Sequence, residues 1–377
     1  MTASIPLSSP DITEAEIEAV TAVLRTNSLS LGPRLEEFES LLAERHGAAS
    51  AIAVSSGTAA LHLAIRALNL GDRDEVIIPS FTFIAVANAL LYEGAVPVFV
   101  DIDPVTLNID PAAVEAAITS RTRAILIVHT FGIPAELDIL CQIAQRHHLY
   151  VIEDACEAIG ATFHGKPVGT FGDIAVFGFY PNKQITTGEG GALLVRDQQL
   201  ANRIRAMRNQ GRYPGNDWFQ HRELGFNYRL SELACALGIV QLKRMDSILA
   251  ARAGVASCYQ QRLAGFSAIQ RPIAHFSDRT VSWFVYVIRF SAHAPEDIRD
   301  CVMNGLAEQG VASARYFAPI HLQPVYEKVT QQHPPRLVIT ETVARQTLAL
   351  PFYNQLAPEK VDIVVGILSS ILRKRME

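Results

Sequence analysis

Clusters of basic residues are missing from this sequence. Lysine and arginine number 33 against 38 acidic residues, a formal charge of -5, and they gather into no patch of nucleic-acid type. Affinity for phosphate backbones rests on such patches, so no nucleic-acid partner is expected. Long apolar runs are missing too. The stretch PSFTFIAVANALLY, from Pro79, is short and broken by Ser, Thr and Asn, so no membrane span is expected. The opening residues MTASIPLSSPD carry neither the basic start nor the apolar core of a secretory signal. Cysteines are few, odd in number and scattered: Cys141, Cys156, Cys235, Cys258 and Cys301. Without a C-x-x-C pair, zinc and dithiol chemistry are set aside in favour of free thiols in a reducing cytoplasm. Repeats and low-complexity segments are also absent.

Two glycine-rich stretches fail as nucleotide motifs. GATFHGKP, from Gly160, has the spacing of a P-loop, but Pro167 replaces the hydroxyl residue that would hold magnesium and bars the following helix. A surface hairpin is expected there. GEGG, from Gly188, lacks the third glycine of a dinucleotide fingerprint and precedes an apolar run rather than a helix.

What is present is a large core. Apolar residues make up 49% of the 377, and this length suggests two domains. Thr13 and Glu16 form a capping-box pattern ahead of Ile17, Val20, Val23 and Leu24, which share a helical face. RLEEFESLLAERHG predicts a second helix, ending at Gly47. Then short apolar runs alternate with helical stretches: AIAV, EVIIP, VPVFV, AILIV, YVIE, IAVFGF and ALLV. Continuous rather than alternating runs predict an α/β fold, a mostly parallel seven-stranded sheet flanked by helices. LGFNYRLSELACALGIVQLKRMDSIL reads as one long helix. Beyond it WFVYVIRF predicts a strand, PEDIRDCVMNGLAEQG a helix, VASARYF another strand, and two helices close the chain. This is α+β in character, which divides the chain into a large domain over residues 1–248 and a smaller one over 249–377.

Polar residues follow the strands: Ser55-Ser56-Gly57-Thr58 after AIAV, Asp101 after VPVFV, His129 after AILIV, Asp154 within VIEDACEAIG, and Lys183 after IAVFGF. Ligands of open α/β sheets bind at that carboxyl edge. The turn Ser56-Gly57-Thr58 opens a helix, where free N–H groups and the dipole attract an anion, although a plain cap is the alternative. Asp154 suits a helix cap, a metal or a cationic ring nitrogen, with metal the weakest because no ligand cluster surrounds it. Lys183 is either a solvated loop lysine or an amine partly desolvated for Schiff-base chemistry. Anion site, acid and lysine on one sheet edge are the three contacts pyridoxal phosphate requires.

At this point the chain resembles the DegT/StrS-type sugar aminotransferases, a branch of the fold-type I pyridoxal-phosphate enzymes. The likeness runs through SLGP, SSGTAALHLA, PSFTFIAVANA, PVFVDIDPVTLNID, VIEDACEAIGA, FYPNKQITTGEGG, LGFNYRLSELACALG and RYFAPIHLQPVY. It implies that Lys183 is the Schiff-base lysine, Asp154 the partner of the pyridine nitrogen and Phe83 the aromatic stacked on the ring. It implies a phosphate cradle at Gly57 and Thr58, beside Ser56. It also implies that Asn227 reaches the phosphate of a neighbouring subunit, making a homodimer with shared sites, and that Arg229 and His321 lie toward the substrate.

Three positions depart from the family pattern. Gly178 stands where Ser is frequent, which removes a phosphate hydroxyl. Ile133 replaces a polar Gln. Glu157 stands where Gln or His faces the cofactor's phenolic oxygen, and a carboxylate beside a phenolate requires that one of them hold a proton. An acid here resembles the perosamine-synthase-like members. The implied reaction moves an amino group from L-glutamate to a keto sugar nucleotide, with a 4-keto-6-deoxyhexose as the expected sugar. The alternatives are a keto cyclitol as acceptor, or a regulator that binds the cofactor without turnover. Retention of Lys183, which related dehydratases replace with His, disfavours dehydration.

Overall fold

The computed structural model describes residues 4–213, 215, 219–327 and 335–376. Helix α1 (Glu14–Leu24) begins with the expected capping box between Thr13 and Glu16, and α2 (Pro33–His46) ends at Gly47 in the left-handed region. There follow β1 (Ser50–Val54), α3 (Gly57–Ala67), β2 (Glu75–Pro79), α4 (Ala85–Tyr92), β3 (Val96–Val100), α5 (Pro111–Ala116), β4 (Thr122–Val128), α6 (Leu137–His147) and β5 (Tyr150–Asp154). A short hairpin, β6 (Thr162–Phe163) and β7 (Lys166–Pro167), occupies the stretch that mimics a P-loop. Then come β8 (Ile174–Gly178), β9 (Gly191–Val195), α7 (Gln198–Arg208), α8 (Glu232–Lys243) and α9 (Met245–Arg262).

The seven runs read as strands form one sheet in the order β1-β9-β8-β5-β4-β2-β3, with β9 alone antiparallel to its neighbours. The apolar runs are continuous because both faces are covered. Ala51 and Ala53 of β1 enter the core under α2, α6 and α8, while Ile52 and Val54 enter the opposite core under α3, α4 and α7. In β4, Ile125 and Ile127 face the first core and Leu126 and Val128 the second.

The later part of the chain builds a three-stranded sheet from β10 (Ile269–Gln270), β12 (Tyr286–Phe290) and β13 (Thr347–Leu350); β11 (Arg279–Thr280) instead pairs with the hairpin. Helix α10 (Ile298–Glu308) and the C-terminal helix Pro358–Met376 pack on the β10-β12-β13 sheet, where Tyr259, Tyr286, Val302 and Leu368 are buried together. Helix α9 runs through residue 248 and joins two cores, placing Met245 and Ile248 in the first core of the large sheet and Val255 and Tyr259 in the core of the β10-β12-β13 sheet. Among the described residues no helix is long and apolar enough to cross a membrane, and no group of three acidic, His or Cys side chains could hold a metal.

Three expectations are corrected. The long helix from Leu224 is two helices preceded by extended chain. Phe226 and Tyr228 bond through their backbones to the end of α7, Ser231 caps α8, and the chain bends at Arg244, whose guanidinium is held by Asp11 and Glu16. VASARYF is not a strand. It makes single bridges at Val311 and Ala314, after which Tyr316 and Phe317 turn to pack on Phe131. The apolar face expected on α1 is not a buried face: Val23 is covered, but Ile17 and Leu24 are exposed while Glu16 is buried.

Candidate active site

Three strand ends meet in a cleft of about 460 Å³. The chain leaves β1, turns at Ser55 and starts α3, with Ser56 Oγ accepting the Ala59 N–H and Ser56 O the Ala60 N–H. The N–H groups of Gly57 and Thr58 find no partner among the described residues. A helix start leaves such donors open, with the positive end of the dipole behind them. Gly57 allows a close approach: a Cβ there would lie 3.3 Å from Cys156 Sγ and 3.4 Å from the Cα of Gly178 at the end of β8. Two backbones thus come together with no side chain between them, leaving a shallow cradle lined by N–H groups.

Asp154 ends β5, 7% exposed, and accepts the Cys156 N–H at 3.0 Å. Lys183 lies in the loop between β8 and β9, which closes by a Lys183 N–H to Tyr180 O bond and by Thr186 Oγ1 donating to Phe179 O. Its side chain is 16% exposed, and Nζ stands 4.0 Å from the centre of the Phe284 ring and 3.6 Å from Glu157 Oε1. Glu157 is buried, and its Oε2 accepts the Phe131 N–H at 2.9 Å. Burial pushes the Glu157 carboxyl above the usual carboxylate range, against the pull of Lys183.

Ser56, Gly57, Thr58, Asp154, Glu157, Gly178 and Lys183 all line this cleft, and Phe83 lines it too, 62% exposed. Other predicted residues lie elsewhere. Asn227 is exposed on the extended segment before α8, bridged to Asn209, and Arg229 donates to Asn209 Oδ1 at 3.0 Å. His321 is buried, its Nδ1 2.7 Å from Ser80 Oγ and its Nε2 3.6 Å from Glu341. None of the three lines the cleft of its own chain, nor does Ile133.

The sequence reading missed the cover of the cleft. Phe284, Tyr316 and Phe317 come from the later part of the chain and line the cleft, with the Phe284 ring beneath Lys183 Nζ. Burial, and next the charge of Glu157, push the Tyr316 hydroxyl up. The signal was available, since these aromatics sit in WFVYVIRF and RYFAPIHLQPVY. Nothing in those stretches, however, announces contact with a loop about a hundred residues earlier.

The cleft thus offers open N–H donors for an anion, a buried acid, a sheltered amine and an aromatic rim. Such a donor set fits a phosphorylated aromatic aldehyde. Over 371 residues the chain is 40% identical to the GDP-perosamine synthase of Caulobacter vibrioides, covering 98% of each. It is 36% identical over 358 residues to a UDP-N-acetyl-3-dehydro-alpha-D-glucosamine 3-aminotransferase of Acidithiobacillus ferrooxidans, covering 94% of this chain and 93% of the other. The putative sugar aminotransferase Spr1654 from Streptococcus pneumoniae, solved in its PLP form, superposes with a TM-score of 0.92 at 27% identity over 100% of both chains. The model of the DegT/DnrJ/EryC1/StrS aminotransferase family matches residues 10–369. This chain belongs to that family.

Proposed function

We propose that the protein is a pyridoxal-phosphate-dependent aminotransferase that moves an amino group from L-glutamate to a keto sugar nucleotide, in the biosynthesis of amino sugars and their polysaccharides. The observation that carries this reading is the convergence of the open Gly57 and Thr58 N–H groups, Asp154 and Lys183 on one cleft. Similarity to enzymes named for GDP- and UDP-linked sugars supports the acceptor class.

In this reading Gly57 and Thr58 hold the phosphate, with Gly178 leaving room for it, Asp154 keeps the ring nitrogen protonated, and Phe83 covers one face of the ring. Bound pyridoxal phosphate supplies an electron sink for the carbanion formed when a proton leaves the donor's Cα. Lys183 Nζ would hold the cofactor and, when free, would take that proton as a general base and return one in the acceptor half. Phe284 beneath Nζ and the Tyr316–Phe317 cover keep bulk water from the amine. Among the described residues lining the cleft, Lys183 is the only lysine or arginine, so substrate anions need cations from elsewhere. A second copy is the proposed source: Asn227 and Arg229 lie on an outward segment, and the exposed Ile17, Leu24, Leu29 and Leu31 offer it a contact face.

The test is a pair of half-reactions on purified protein. L-glutamate should bleach the absorption band of the bound cofactor, and one member of a panel of keto sugar nucleotides and keto cyclitols should restore it. Lys183→Ala should abolish both steps. An unchanged spectrum and full turnover in Lys183→Ala would refute the assignment, and restoration by cyclitols alone would replace the acceptor class.

A further inference from the structure

Of the buried side-chain oxygens and nitrogens that find no hydrogen-bond partner among the described residues, Asn182 Oδ1 alone lies in the cleft. Asn182 stands in the loop between β8 and β9, directly before Lys183, and its amide is hydrogen-bonded to the Tyr316 hydroxyl. Tyr316 is in turn within electrostatic reach of Glu157, whose Oε1 lies 3.6 Å from Lys183 Nζ. An amide has a donor end and an acceptor end. With Oδ1 unpartnered, it is Nδ2 that donates to Tyr316, so the acceptor end is the one presented to a ligand. A ligand that fills the cleft takes water away from this oxygen, and must bring a donor or strand it. The chemistry of the reactants says which group that donor is. In the proposed function the cofactor's phosphate is met by Gly57 and Thr58 and its ring nitrogen by Asp154. The carboxylates of L-glutamate are acceptors, which an amide oxygen cannot pair, and its amine is the group being transferred. A sugar hydroxyl is a donor, and one beside the reacting carbon comes closest to the neighbour of Lys183.

We propose that Asn182 is a specificity residue for the amino acceptor. Its Oδ1 accepts a hydrogen bond from the hydroxyl on the carbon beside the keto carbon, C3 of a 4-keto-6-deoxyhexose. The inference rests on the reading of the protein as a keto-sugar aminotransferase, and adds to it the feature of the sugar that is recognised. The contact makes and breaks no covalent bond; it holds the ring with its keto carbon toward Lys183 Nζ. Tyr316 acts through Asn182 as a positioning residue, because its hydroxyl fixes which end of the amide faces the sugar. Selection then works by exclusion as much as by attraction. A sugar without that hydroxyl fills the same space and leaves a buried acceptor unpaired, which is how a site built around one hydrogen bond rejects the analogue that lacks it.

The probes are a GDP-linked 4-keto-6-deoxyhexose and the same nucleotide without the C3 hydroxyl. Each is offered to the holoenzyme after L-glutamate has bleached its cofactor band, and the readout is kcat/KM for return of the band. In the wild type the hydroxylated acceptor should be favoured by about ten- to a hundredfold, the effect of stranding one buried acceptor. In Asn182→Ala the two acceptors should react nearly alike, because no amide oxygen is left to strand. Both are measured on one preparation, so a general loss of folding or of cofactor divides out of the ratio, and only a specific contact moves it. Equal rates in the wild type overturn the proposal with no variant required, and a preference that survives Asn182→Ala overturns it as well. The two levels separate at the first step. A band that L-glutamate fails to bleach defeats the aminotransferase reading, whereas bleaching followed by equal return, or by no return with either probe, defeats only the assignment of Asn182.

Discussion

Restoring a hydroxyl at position 178 should expose how tightly the phosphate cradle is packed. A Cβ on Gly178 would lie 3.2 Å from Cys156 Sγ and 3.4 Å from Cys156 Cβ, with Gly57 Cα at 3.9 Å. The first two contacts are short, so Gly178→Ser must push Cys156 aside by a few tenths of an ångström, and overpacking of this kind costs about 1–3 kcal/mol. The serine hydroxyl in turn gains a hydrogen bond to a charged phosphate oxygen, worth about 1.5–3 kcal/mol. The strain enters the binding equilibrium only where bound phosphate holds Cys156 in place; there it offsets the new hydrogen bond, so Gly178→Ser alone should change the dissociation constant of pyridoxal phosphate little. Removing the sulfur first changes the balance. In a Cys156→Ala background the added Cβ meets no Sγ, and Gly178→Ser should tighten binding by roughly tenfold or more, the equivalent of about 1.4 kcal/mol. The assay is equilibrium titration of apoprotein followed by cofactor absorbance, arranged as a double-mutant cycle. A cycle that closes without coupling would refute the crowding argument. If the serine tightened binding in neither background, Gly178 would not stand at the phosphate.

Three further perturbations test the frame around the site. Thr13, Arg244 and Gln241 hydrogen-bond the buried Glu16 and, against the opposing effect of burial, hold its pKa at about 2. Its folded value lies below its unfolded one, so its contribution is complete above about pH 4.5 and lost as pH falls through about 2; by pH 3.5 the wild type should lose about 1 kcal/mol more than Glu16→Gln in urea titrations. Arg252 is 3% exposed, and it donates to the carbonyls of Trp283 and Phe284 and to Asn354 Oδ1. Arg252→Leu strands two buried carbonyls, so it should destabilise by about 2–5 kcal/mol and loosen Phe284 beneath Lys183, read as a lower Tm and altered cofactor absorbance. Asp101 accepts the N–H groups of Ile339 and Thr340 at the start of the helix Val338–Gln346, and Asp101→Ala should cost about 1–2 kcal/mol of unfolding free energy, leaving the absorption of bound cofactor unchanged.

Asp101 also shows where reading a sequence reaches its limit. Five apolar runs ended in polar residues that pointed to a ligand edge. Those after β1, β5 and β8 do line the cleft, but Asp101 after β3 caps a helix more than two hundred residues later. His129 after β4 is wholly buried against Glu153, whose oxygens also accept the N–H groups of Gly169, Phe171 and Gly172. The strand ends were legible because a two-sided parallel sheet demands uninterrupted apolar runs, and because helix starts and turns are encoded by neighbouring residues. The helix that Asp101 caps lies far along the chain, and the acid against His129 sits on the neighbouring strand β5; no local pattern records either pairing. Length along the chain is not the whole difficulty, since Gly57, Asp154 and Lys183 are equally far apart in sequence. They could be read together because one ligand, the proposed pyridoxal phosphate, would impose a joint chemical requirement on all three. Asp101 and His129 satisfy only the private needs of buried backbone and of one another's neighbours, which many other residue pairs would meet equally well. The same reasoning explains the aromatic cover. Phe284, Tyr316 and Phe317 line the cleft as bulk, a task that leaves no distinctive spacing behind, whereas the turn that carries Lys183 closes on its own neighbouring residues.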